Sequence, residues 1–173
     1  MTLASSNPTV HSAYKPGAVA LFLAAAAILG ALGFEHIGGY LPCPLCLEER
    51  YAYYAGVPLL FFALVLLSAE QRRAAAALLA IVALAFLANA ALGIYHAGAE
   101  WHFWPGPQAC SGAQQLNMSA GNMLDALQHT SVIRCDEAAG RFAGISFAGW
   151  NVIVSLLVTV MSLRAASEAL RAH

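Results

Sequence analysis

Cys43-Pro44-Leu45-Cys46 sets two thiols two residues apart, and Arg50 follows Cys46 by one helical turn. Thiol–disulfide exchange needs a thiolate to attack a disulfide and a second thiol close enough to release the mixed intermediate. Two intervening residues permit that closure. A helix starting at or just after the motif directs free N–H groups toward the sulfurs and favours thiolate. Arg50 then lies on the Cys46 face, one turn deeper, as a fixed cation for a Cys46 thiolate and for any anion formed beside it. The remaining cysteines are Cys110 and Cys135. Joined to each other, they would either staple a loop, worth roughly 3 kcal/mol by chain entropy, or act as a mobile disulfide that meets a soluble partner. The companion CxxC favours the second, because a relay needs two pairs. Four cysteines nevertheless allow three pairings. The same residues also suit a passive disulfide, or half of a zinc site completed by Cys110, Cys135 or a histidine. The wide spacing of the second pair argues against zinc, so no metal is expected.

The elements that must hold these groups follow from composition. Of 173 residues, 60% are hydrophobic and only 10% charged, where a soluble domain is about one-quarter charged. The net charge of −1 offers nothing to a nucleic acid. Charge-free runs predict membrane spans at 17–34, 51–69, 74–96 and 142–163, each near the roughly 20 residues that cross about 30 Å of hydrocarbon. The first run is long for the apolar core of a signal peptide. The expected fold class is therefore an all-α membrane protein, a four-transmembrane-helix bundle over residues 17–164. Residues 1–16 read as a disordered polar tail and 165–173 as a second tail. Residues 35–50 read as a short loop carrying the CxxC, 70–73 as a tight turn and 97–141 as a long loop. In that long loop Trp101, Phe103 and Trp104 suit an interfacial belt, and 119–129 can form a short interfacial helix. Asn89 and Asn151 read as interhelical hydrogen-bond groups, and Gly30 and Gly33 as close-packing positions. Glu35, Glu48 and Glu49 read as solvated or interfacial charges, with Glu48 or Glu49 a partner for Arg50. His36, His102 and His129 read as ordinary loop residues.

Orientation comes from Lys and Arg. With four spans, both termini and the 70–73 turn share one side, which holds Lys15, Arg72, Arg73, Arg164 and Arg171. The other side holds Arg50, Arg134 and Arg141. Arg72-Arg73 in so short a turn points that turn to the cytoplasm. All four cysteines then lie outside it, in the periplasm of a bacterium, where disulfides persist.

The stretch 34–50 (FEHIGGYLPCPLCLEER) resembles the first periplasmic loop of the DsbB family of membrane disulfide bond formation proteins. Ile94-Tyr95-His96, the Pro-Gly-Pro before Cys110, Cys135-Asp136-Glu137, Phe142 and Trp150 fit the same family. The likeness covers nearly the whole chain. It implies a four-helix bundle in the bacterial inner membrane with both termini cytoplasmic. It also implies reoxidation of a DsbA-like thioredoxin-fold protein of the periplasm, with two electrons passed to a membrane quinone, ubiquinone or menaquinone. By the same resemblance the redox pairs are Cys43 with Cys46 and Cys110 with Cys135. Cys110 would form the mixed disulfide with the partner, Cys135 would turn toward Cys43, and Cys46 would face the quinone. Arg50 would support the quinone end, and His96 would lie near it. One rival is an enzyme of the vitamin K epoxide reductase type, but there the active CxxC lies near the last helix, whereas here it opens the second span. The other is a non-enzymatic membrane protein with structural or zinc-binding cysteines.

Overall fold

The structure, a computed structural model, describes residues 8–107, 135, 138 and 140–171. Four long helices dominate it: α1 (Pro8–His36), α2 (Pro44–Ser68), α3 (Arg72–Glu100) and α4 (Phe147–Arg171). All four are long and apolar enough to cross a membrane. They pack as a closed ring in which α1 meets α2, α2 meets α3, α3 meets α4 and α4 returns to α1, while α2 and α4 barely touch across the diagonal.

Inside the ring small residues pack around a few large ones, and many large residues face outward. Ala20, Ala24, Ala63, Ala75 and Ala165 are fully buried around Leu60, Leu79, Val82, Phe86 and Val158. Phe22, Leu29, Phe61, Phe62, Leu84 and Leu163 are exposed, as expected where lipid replaces water as the surrounding solvent and helices associate through close packing and hydrogen bonds. Asn89 supplies those bonds. Its Nδ2 donates to Asn151 Oδ1 and to Ser155 Oγ, both at 3.0 Å, and Tyr53 donates to the same Asn151 oxygen at 2.7 Å. Close packing falls at other glycines than Gly30 and Gly33, beside which a Cβ would meet open space. Gly56 lies against Phe86, and Gly93 against Asn151 and Val152.

Every helix outruns its charge-free core. The stretch 1–16, expected as a tail, is helical from Pro8 onward, because Ala13 is fully buried and Gly17 packs on Leu64 and Ala165. At the other end α4 continues to Arg171 rather than stopping before 165, with Ala165, Ala166 and Ala169 buried. The largest shift is at α2, which begins at Pro44 instead of 51 and takes the CxxC and Arg50 into its first two turns. Two short strands depart from an all-α chain. Phe142 does not open the last span but ends β1 (Arg141–Phe142), which pairs antiparallel with β2 (Ile145–Ser146). Ala143 and Gly144 have φ of 52° and 82°, the two positive values of a tight type I′ hairpin turn. Residues 119–129 and Cys110 lie outside the described residues. At the end of α3, Trp104 folds back, stacks on Tyr95 and donates to the Tyr95 carbonyl at 2.8 Å.

Candidate functional site

The CxxC is the N-terminus of α2. Cys43 is the N-cap, with extended backbone (φ −75°, ψ 166°), and Pro44 opens the helix. Proline suits that position because its missing N–H would have no helical partner there. The Cys43 sulfur takes the place of a capping oxygen and accepts from the Cys46 N–H at 3.2 Å. Cys46 therefore sits in the first turn, directly over its cap. The two Sγ atoms are 2.8 Å apart and not bonded, so both cysteines are free thiols. The hydrogen bond from Cys46 holds the Cys43 thiol below its ordinary value, against the opposing effect of burial. The helix dipole acts in the same direction.

From this start α2 serves two neighbours. Toward α3, Cys43 Sγ lies 3.5 Å from His96 Nε2, and Glu49 Oε1 lies 2.8 Å from His96 Nδ1. Cys43 and His96 are each 2% exposed. With Glu49 ionised and the ring neutral, Nδ1 carries the proton and Nε2 turns its lone pair to Cys43. Glu100, one turn after His96, brings its Oε1 to 3.9 Å from Nε2. Cys43, Cys46 and His96 form a group whose ligand atoms all lie within 4.8 Å of one another. Cys135 is fully buried, disulfide-bonded, and packed in one cluster with Cys43 and Leu45.

On the other side of α2 is a cavity of about 260 Å³, near the small end of the roughly 300–1,000 Å³ typical of ligand pockets. Cys46, Glu49, Arg50 and Tyr53 form its α2 wall, a spacing that keeps all four on one helical face. Ala26, Ala27, Gly30 and Ala31 make the α1 wall. The open space beside Gly30 belongs to this cavity. Its rim is aromatic, with Phe34, Tyr40, Phe142, Phe147 and Trp150. Phe34 and Phe147 rings are 5.0 Å apart, and Tyr40 meets Phe147 edge-on at 5.9 Å. The hairpin belongs to this rim, for Phe142 accepts a hydrogen bond from Trp150 Nε1 at 2.9 Å. Arg50 is ion-paired through Nη1 to Glu35 of α1.

Two expectations about charges change. Arg50 pairs with Glu35, not with Glu48 or Glu49, and Glu49 is not solvated but buried against His96. The structure gathers Cys43, Cys46, His96 and Arg50 around one helix start. It puts His96 behind the thiol pair rather than among the residues that line the cavity. Glu49, Glu35 and Glu100 escaped notice as site residues. The available signal was their register: Glu49 follows Cys46 by three residues and Glu100 follows His96 by four, both same-face spacings.

Comparison with known proteins gives one consistent family. The family described as Disulfide bond formation protein DsbB matches residues 15–165. Disulfide bond formation protein B of Aromatoleum aromaticum is 30% identical over 154 residues, covering 83% of this chain and 89% of the relative. The protein of the same name from Herminiimonas arsenicoxydans is 27% identical over 159 residues, covering 88% and 94%. An uncharacterised protein of Rickettsia prowazekii is 22% identical over 128 residues, covering 73% and 72%. No solved structure matches the chain.

Proposed function

The chain belongs to the DsbB family of disulfide bond formation proteins, and from that premise we propose that it reoxidises a DsbA-like thioredoxin-fold protein and reduces a membrane quinone. The observation that carries this reading is the division of labour at the α2 start. Cys46 and Arg50 line an apolar cavity, while Cys43 packs against the disulfide-bonded Cys135. A relay needs that arrangement, with one thiol toward the electron source and its neighbour toward the acceptor.

The bookkeeping is simple. Two thiols of the soluble partner reduce the pair Cys110 with Cys135, that pair reduces Cys43 with Cys46, and that pair reduces the quinone to a quinol. Each stage moves two electrons and two protons. In the first two, one S–S bond breaks as another forms. In the last, the Cys43 to Cys46 bond forms as the ring is reduced. The cavity fits the acceptor chemically: alanine and aromatic walls suit a ring that arrives through lipid, and Arg50 can stabilise the negative charge that forms on its oxygen. His96, held by Glu49, is a base within reach of Cys43 for the departing proton. The 70–73 turn, with Arg72 and Arg73, faces the cytoplasm in this reading, and the cysteines face the periplasm.

The test mixes purified protein with a reduced DsbA-like partner and ubiquinone or menaquinone, and follows quinone absorbance. Reduction should require all three components. Cys46→Ser should abolish it while the helical fold survives, and Cys135→Ala should accumulate a covalent complex with the partner through Cys110. Quinone reduction at full rate by Cys46→Ser, or trapping that needs Cys43 instead of Cys110, would overturn the assignment.

A further inference from the structure

The α3 side of the thiol pair holds more acid than electron relay requires. Glu49 and Glu100 both converge on His96, and their side chains are 8% and 4% exposed. Glu49 is accounted for by its hydrogen bond to Nδ1. Glu100 is not: its Oε2 is buried without a hydrogen-bond partner among the described residues, and its Oε1 stands 3.9 Å from Nε2. A carboxylate in the last turn of α3 also faces the negative end of that helix dipole. Arg50 offers no relief, since it is tied to Glu35 on the far side of α2. A buried, half-satisfied carboxylate beside an imidazole that itself lies against the thiol pair is a donor set short of a cation.

We propose that Cys43, Cys46, His96 and Glu100 form a site for a thiophilic divalent cation, Zn²⁺ or Cd²⁺, that binds only when the two thiols are reduced. The donors are two sulfurs, one imidazole nitrogen and one carboxylate oxygen, the types that zinc takes in four-coordinate sites. The three Cys and His ligand atoms already lie within 4.8 Å of one another. Tetrahedral bonds of about 2.3 Å to sulfur put two sulfurs roughly 3.8 Å apart, so a small rotation of the Cys46 side chain from 2.8 Å opens the site. Glu49 supplies the usual support of a metal-bound histidine, a carboxylate on the other ring nitrogen that fixes the tautomer and raises the basicity of Nε2. Binding exchanges the two thiol protons for the metal, with no change of oxidation state. Oxidation of the pair to a disulfide removes both thiolate ligands. The bound ion occupies the sulfur lone pairs and so holds the pair reduced. The site depends on the thiols and not on any acceptor, so it stands or falls separately from quinone reduction.

The test uses the full chain with Cys110→Ala and Cys135→Ala, reduced anaerobically with a phosphine, freed of reductant and titrated with Co²⁺ in detergent. One equivalent should give thiolate-to-cobalt charge-transfer absorption with the strong visible bands of a tetrahedral site, and one equivalent of Zn²⁺ should erase them. The same protein with its remaining pair oxidised should give neither. Glu100→Gln and His96→Gln, checked for fold by circular dichroism, should weaken cobalt binding at least tenfold. In the unsubstituted protein, reduced in the same way, one further equivalent of Zn²⁺ beyond any taken by the other pair should protect Cys43 and Cys46 together from alkylation, read by mass spectrometry. Absence of the cobalt bands in the reduced protein, binding that persists after oxidation, or affinity untouched by both Glu100→Gln and His96→Gln would each overturn the site.

Discussion

Arg50→Gln separates the two ends of the proposed relay. Among the residues lining the cavity Arg50 is the cation, one turn below Cys46 on the same face. Removing one preorganised donor from a site of developing negative charge slows reaction by about 10²–10³, or about 2.7–4 kcal/mol. Arg50 belongs at the lower end, because Glu35 already takes its Nη1 and part of its charge. The expected loss is therefore about 100-fold in quinone reduction, measured from quinone absorbance in single turnovers of pre-reduced protein. Thiol exchange with the partner, followed as partner disulfide on gels, should be nearly unchanged. Arg50→Lys keeps the charge but not the planar fork and should lose less. The substitution also strands Glu35, and that alone could slow turnover by disturbing the α1–α2 contact. Glu35→Gln with Arg50→Gln removes the stranded carboxylate. If the guanidinium acts on the acceptor, the double variant stays slow. Recovery of the rate in the double variant, or equal loss of partner exchange in Arg50→Gln, would refute the reasoning.

Two further outcomes follow from the same contacts. The Cys43 thiol is held below its ordinary value by Cys46, so thiolate persists as pH falls through the usual thiol range near about 8.5 and is lost only below the lowered value. Ultraviolet thiolate absorbance of the reduced protein, followed against pH, should show this, and Cys46→Ala should move the midpoint upward; an unmoved midpoint would remove the role given to that hydrogen bond. Gly56→Ala would put a Cβ 2.4 Å from Cε2 of the fully buried Phe86 ring. Overpacking of this kind costs about 1–3 kcal/mol, read as a lower unfolding temperature, and unchanged stability would mean that α2 and α3 slide apart freely at this point.

The four-span bundle was legible because a membrane span announces itself by the absence of charge, and each charge-free run does lie within a helix except at Ala69, the C-cap of α2, and where 142–146 precedes α4 as the hairpin. Most of what was not legible at the charges has a common cause. Charged residues near a span end read as loop or tail, since single residues do not reveal their partners. Glu49 and Arg50 look like solvated charges in sequence. In the fold each has an opposite number on a different helix, His96 on α3 and Glu35 on α1. The hairpin was hidden for another reason: Ala143 at positive φ carries no turn signal, and only Gly144 beside it suggests one. Gly30 reads as a packing position because a glycine that opens a cavity and one that admits a neighbour look the same in sequence.

The register of α2 then explains why the motif needs its helix to begin at Pro44. The N-cap position turns Cys43 toward His96 and Cys135, and the next same-face positions, Cys46, Glu49, Arg50 and Tyr53, form one wall of the cavity. Glu49 lies between the two sides, lining the cavity while bonded to His96. Were the helix to start at 51, as charge alone predicts, Glu49 and Arg50 would belong to a loop free to swing into water. The thiols would then have no fixed cation on one side and no fixed base on the other. Charges inside the first two turns of a membrane helix are costly unless paired or exposed; Glu48 is exposed, and Glu49 and Arg50 are both paired. The two thiols, 2.8 Å from each other, meet two different neighbours, so in the proposed relay the helix start itself would join the source side to the acceptor side.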